Sequence, residues 1–233
     1  MYDIFHVAGM RQRPPVLFEA VTLPSLDGDQ SLLIAARGPH LHCYMFTESG
    51  LATVAKADLQ LDHSAMASCR DRVAVAHYGR VNMFRISTIA SVSLEMEGSW
   101  SVEGEVLNIT WISDTKIMVV TKTSVTCSLC SDISSTFQPR TDFEISANDE
   151  EIQSAVFHRG QVYILTNNGD LLTVEISPGL QTSLDVTAKI DTAASSILST
   201  RLATQDSFII LKQGELFRAS DINAEYEKVT IAD

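Results

Sequence analysis

Leu32-Leu33-Ile34-Ala35-Ala36-Arg37-Gly38, followed by Leu41-His42-Cys43-Tyr44-Met45-Phe46, is the first copy of a pattern that recurs along the chain. An apolar run meets a turn, and a second run of mixed character follows. The second copy is Val73-Ala74-Val75-Ala76-His77-Tyr78-Gly79 with Val81-Asn82-Met83-Phe84-Arg85-Ile86. The third is Ile117-Met118-Val119-Val120-Thr121 with Val125-Thr126-Cys127-Ser128-Leu129. The fourth is Val162-Tyr163-Ile164-Leu165-Thr166, which turns at Asn168-Gly169-Asp170 into residues 171–176. The fifth is Phe208-Ile209-Ile210-Leu211-Lys212-Gln213-Gly214 with Leu216-Phe217-Arg218. The copies begin at 32, 73, 117, 162 and 208, so the intervals are 41, 44, 45 and 46. The runs are short, rich in β-branched residues and bounded by Gly, Asn or Asp, whereas helices need ten or more residues at 3.6 spacing. The repeat is β.

Each period has room for two further strands. Shorter apolar stretches precede the core pairs at 16–21, 65–69, 106–112, 152–157 and 197–203, and others follow at 51–59, 89–96, 143–145, 184–190 and 226–231. Strands buried on both faces read as continuous apolar runs, and outer strands are wetter. Leu32 to Ala36 is wholly apolar, while Glu225-Tyr226-Glu227-Lys228-Val229-Thr230-Ile231 alternates. A period in the forties with four strands matches one propeller blade. The expected class is therefore all-β, with a propeller of five four-stranded blades. Residues 1–14 form an N-terminal strand and linker, and blades cover about 15–60, 61–98, 104–146, 151–190 and 195–233. Three arrangements follow: a closed five-bladed ring, part of a six- or seven-bladed ring, or an open ring completed by a partner chain.

The apolar strand, turn and following strand ending in an aromatic, as in His42-Cys43-Tyr44 and Asn82-Met83-Phe84, resemble the WD-repeat propellers over residues 15–233. No copy carries the Trp-Asp pair, no Gly-His precedes a copy, and Ser128 and Val174 stand where an aromatic belongs. The resemblance implies the architecture and not the family's Asp–His network. Divergent members occur in trafficking, nuclear-pore and ciliary scaffolds. The opening Met1-Tyr2-Asp3-Ile4-Phe5, with Leu32-Leu33-Ile34, resembles the citron-homology propellers of vacuolar tethering proteins.

The 233 residues hold 17 Lys+Arg against 29 Asp+Glu, a net charge of −12. Binding to nucleic acid or to an anionic membrane needs clustered cations, so both are disfavoured as general partners. No basic n-region precedes an apolar run at the start, and no apolar stretch approaches 18 residues, so neither signal peptide nor transmembrane segment is expected. The expected location is cytoplasmic, with any membrane association made through a complex. Asn108-Ile109-Thr110 fits a glycosylation acceptor, but it lies in a strand-like run and reads as chance.

Chemistry-bearing motifs are sparse. Cys127-Ser128-Leu129-Cys130 has CxxC spacing, yet Cys43 and Cys69 stand alone and tetrahedral zinc needs four ligands. Strand positions i and i+3 also face opposite ways. His40-Leu41-His42-Cys43 places two His on one strand face, without a partner segment to complete a metal site. There is no GxSxG elbow, P-loop or GxGxxG, and His6, His63, His77 and His158 fall in separate blades. The acidic stretch from Asp142-Phe143-Glu144 to Asn148-Asp149-Glu150-Glu151 reads as a solvated loop, with docking of a basic partner as its functional alternative. Arg11-Gln12-Arg13-Pro14-Pro15 reads as linker, and residues 131–140 as a long loop of the kind that carries binding residues. No catalytic, cofactor-binding or metal residue is named, and no cofactor is expected. The expected function is a non-enzymatic scaffold binding other protein chains within a trafficking or tethering assembly. The alternatives are a regulatory propeller that recognises a peptide, and a propeller hydrolase or lyase with its site at the channel mouth.

Overall fold

The computed structural model describes residues 17–25, 28–59, 63–77, 79–88, 91–129, 143–144, 150–158, 160–176, 184–191, 194–202, 205–219 and 226–229. Among them the regular structure is entirely β. Twenty strands form five separate four-stranded antiparallel sheets, in each of which strands adjacent in sequence are adjacent in space. The first sheet holds β1 (Leu17–Ser25), β2 (Gly28–Arg37), β3 (His40–Thr47) and β4 (Gly50–Asp58). The second holds β5 (His63–Cys69), β6 (Arg72–His77), β7 (Arg80–Ser87) and β8 (Ser93–Ser101). The third holds β9 (Val106–Ser113), β10 (Lys116–Thr121), β11 (Ser124–Leu129) and β12 (Phe143–Glu144). The fourth holds β13 (Ile152–His158), β14 (Gln161–Thr166), β15 (Asp170–Ile176) and β16 (Leu184–Asp191). The fifth holds β17 (Ala194–Leu202), β18 (Gln205–Lys212), β19 (Glu215–Ala219) and β20 (Glu227–Lys228). The stretches 2–8, 11–15 and 131–140, with His6 and Cys130, lie outside the described residues.

Hairpin turns set the register. Gln213 and Gly214 both have positive φ, 51° and 80°, which is the primed two-residue turn whose twist suits antiparallel strands. At Gly79 (φ 70°) an added Cβ would lie 3.1 Å from the Val102 carbonyl oxygen, so both backbone and space call for glycine.

The sheets share irregularities as well as strand order. A register shift between third and fourth strands falls at Cys43/Tyr44, Met83/Phe84 and Thr173/Val174, which are equivalent positions of three sheets. A second, between first and second strands, recurs opposite Ala76, Val120, Leu165 and Leu211. Repeated bulges impose the same local bend on each sheet. The repeat read from apolar runs is thus also a repeat of backbone shape.

The sheets pack in a row, each first strand against the next: β1 on β5, β5 on β9, β9 on β13, and β13 on β17. Each junction has its own apolar cluster. Leu32, Ile34 and Leu41 meet Val73, Val75 and Phe84 between the first two sheets. Ala74, Ala76 and Met83 meet Ile109, Trp111, Ile117 and Val119 at the second junction. Met118, Val120 and Val125 meet Val162, Ile164 and Val174 at the third. Tyr163, Leu165 and Leu171 meet Ile197 and Ile210 at the fourth. At ~25 cal/mol per Å² of apolar area, these four seams are the main stabilising term.

Polar bonds fix the inner strands laterally. Ser68 Oγ donates to Glu19 Oε2 at 3.1 Å across the first seam, and Arg70 pairs with Asp114 across the second. Asn108 Nδ2 donates to the Ala155 carbonyl at 2.8 Å across the third. The Ile197 amide donates to Ser154 Oγ at 3.2 Å across the fourth. Among the described residues no comparable packing joins β17 to β1.

Candidate functional site

Repeat-equivalent positions define a face that is covered in three sheets and open in the first. In the first sheet Leu33 stands opposite Tyr44, and Ala35 opposite His42. The equivalent pairs are Val73–Phe84 and Val75–Asn82, then Ile117–Ser128 and Val119–Thr126, then Val162–Val174 and Ile164–Leu172. Every member of these later pairs is buried. In the first sheet Ala35 is buried, but Leu33, His42 and Tyr44 are only half-buried. Around them on the same face Phe18 is 53% exposed, Phe46 62% and Leu51 52%. Strand alternation accounts for the sidedness: Leu32, Ile34, Leu41 and Cys43 point into the first seam, and their neighbours point outward.

The open face has an aromatic column on β3. The His40 and His42 rings meet edge-on with centroids 5.8 Å apart, and His42 stacks on Tyr44 at 5.6 Å with planes 14° apart. Asp58 and Lys56 on β4 lie opposite His40 and His42, and Arg37 on β2 lies opposite His40. His40 Nδ1 is 3.1 Å from Asp58 Oδ1, while the buried His42 Nδ1 has no hydrogen-bond partner. Burial holds the His42 imidazole below its ordinary range, and Lys56, His40 and Arg37 push the same way. The face is apolar and aromatic at its centre, with cations beside it.

The two His of the His40-Leu41-His42 run do share a face, as alternation predicts, but Cys43 points to the opposite side. Burial pushes the Cys43 thiol up to about 11, so it is not a ready nucleophile. Cys127 lies half-buried on β11, packed against the third seam. Among the described residues no group of three His, Cys, Asp or Glu side chains is placed to hold a metal ion.

The other histidines are not brought together. His63 and His77 pair across β5 and β6, both buried, and neither nitrogen of His63 nor Nδ1 of His77 has a partner. Burial lowers the His77 pKa, with Arg80 and His63 acting in the same direction. His158 lies two sheets away at the far end of β13, its ring 6.3 Å from that of Tyr163. Of the acidic stretch, Phe143–Glu144 forms β12, and Glu150 and Glu151 precede β13. The Glu151 amide donates to Asn167 Oδ1 at 3.1 Å. Asn108, in the acceptor-like triplet, is used across the third seam.

The open face as a unit escaped sequence reasoning. Its signal was the alternating His40, His42, Tyr44 and Phe46, set against Arg80, Asn82, Phe84 and Ile86 in the next copy. No helix long and apolar enough to cross a membrane is present among the described residues. The chain matches no protein-family model, and comparison with curated proteins finds no similar sequence.

Proposed function

We propose that the five sheets are blades of a WD-like propeller arc, and that the chain is a non-enzymatic scaffold within an intracellular assembly of the trafficking or tethering kind. A partner chain covers the outer face of the first sheet. The observation that carries this reading is the contrast at equivalent positions: Phe84 is 1% exposed beneath the first sheet, whereas its counterpart Tyr44 is half-exposed and Phe46 beyond it is 62% exposed. The row of first-strand contacts, the meander order and the repeated bulges support a common blade geometry. At the other end of the row Ile209, Leu211 and Leu216 are half-buried on the side away from the fourth seam, so the fifth sheet also ends in an apolar face. Large exposed aromatics grouped on one rigid surface are the composition of binding hot spots.

The test is sedimentation of the tagged chain from its own cells. The native chain is expected to travel in a complex above its 25.5 kDa mass. The Tyr44→Glu/Phe46→Glu variant, still folded by circular dichroism, is expected to fall to that mass. Migration of the native chain alone, or retention of the variant in the complex, contradicts the reading.

A further inference from the structure

Two histidines stand at one end of the first seam. His63 opens β5 and His77 closes β6, opposite each other in register, at 5% and 3% exposure. Strand alternation sets His77 on the side of Val73 and Val75, which face the first sheet. Both nitrogens of His63 and Nδ1 of His77 are buried without a hydrogen-bond partner. Buried polar groups are nearly always bonded, and an unpaired buried charge costs far more than an unpaired neutral group. A proton on His77 therefore has no place in the closed seam.

No counter-charge faces this ring among the described residues. Burial acts first against a proton on His77, then Arg80 opposite it on β7, then His63 on β5. The first sheet turns Leu32, Ile34, Ala36, Leu41 and Cys43 toward the seam. Its charged or titratable residues at that end, Arg37, His40 and Asp58, are paired on the opposite side of the sheet. Glu19 on β1 is bonded to Ser68, near the far end of β5 from His63. Burial raises the Glu19 pKa, so its titration on acidification works in the opposite direction.

The sheets pack in a row, each against its neighbours through its own apolar cluster. In such arrays stability is close to a sum of unit and junction terms, so a charge at one junction acts on that junction. The first sheet has one such junction among the described residues, and a sheet holds together only with an apolar face covered. We infer that the first seam is an acid-sensitive latch. The first sheet stays closed on the second while His77 is neutral, and it opens, with the later sheets in place, when His77 takes a proton.

Hydrogen exchange of the full chain, read by mass spectrometry at pH 7.5 and 5.5 and corrected for intrinsic amide rates, tests the latch. Protection of β2 is expected to fall by up to about tenfold, the factor by which a solvated imidazole favours the open state over that interval. β14, in the fourth sheet, should stay better protected than β2 at both pH values. His77→Gln should abolish the fall. Should that variant fail to fold, His77→Leu, which suits the apolar seam, gives the same reading. Equal protection of β2 and β14 at pH 5.5 would mean that only whole-chain unfolding responds, and overturns the latch. A fall that survives loss of the imidazole, or no fall in the native chain, overturns it too.

Discussion

The outer face of the first sheet and the matching face of the second are built to one plan and meet different surroundings. Leu33, Ala35, His42 and Tyr44 occupy the positions of Val73, Val75, Asn82 and Phe84, with the same cross-strand partners. Every member of the second set is buried, whereas in the first set only Ala35 is, and Leu33, His42 and Tyr44 are half-exposed. Composition alone does not separate a packed sheet face from a waiting one; the neighbour does.

The largest break in this comparison comes from Phe84→Ala. Emptying a site that is 1% exposed is expected to cost about 3–5 kcal/mol by denaturant unfolding. Tyr44→Ala at the equivalent position of the isolated chain should cost about 1 kcal/mol, because its ring is already part-solvated. Equal costs would mean that Tyr44 is covered. The next effect is Gly79→Ala, expected at about 1–2 kcal/mol from positive φ combined with the approach to the Val102 oxygen. Gly38→Ala, in the same hairpin turn of the first sheet, meets nothing within 4 Å, so it should cost only the conformational part.

The second strands were legible because β6, β10 and β14 are buried on both faces and read as apolar runs, and β2 and β18 carry the same apolar composition with one face less covered. Outer strands were less so. The expected stretch at 89–96 gives way to β8 at Ser93–Ser101, where Glu95, Glu97 and Gly98 interrupt any apolar signal on a solvated edge strand. The bulges were invisible, since they depend on the twist each sheet needs to meet its neighbour and not on a residue type. The candidate site was half legible: the sequence put two His on one face of β3, but not the lack of a covering sheet. That lack depends on what β1 and β17 do not touch, which no local pattern encodes.

A pH series sharpens the comparison. His77 is held neutral in the fold below its ordinary value of 6.5, so the unfolded chain binds a proton that the folded chain refuses. Stability is therefore full above about pH 6.5 and falls as pH drops below it. The melting temperature should decline between pH 7.5 and 5.5, and His77→Gln should flatten that decline. Glu19 has the opposite sign: burial raises its pKa despite the Ser68 hydrogen bond, so its ionised form weighs against the fold at neutral pH. Glu19→Gln, which keeps an acceptor for Ser68, should raise the melting temperature at pH 7 and leave it unchanged near pH 4. The smallest effect is Asp58→Asn on the open face, within about 0.5 kcal/mol, because the carboxylate is 94% exposed in its contact with His40.

The central claim is that the first sheet's outer face lies uncovered in the chain itself. Hydroxyl-radical labelling of the purified chain, read by mass spectrometry at Phe18, Tyr44, Phe46 and Phe84, addresses it most directly. Modification of the first three well above Phe84 is the predicted result. Protection of Tyr44 and Phe46 to the level of Phe84 would mean that another sheet of the chain already covers the face, and would contradict the account.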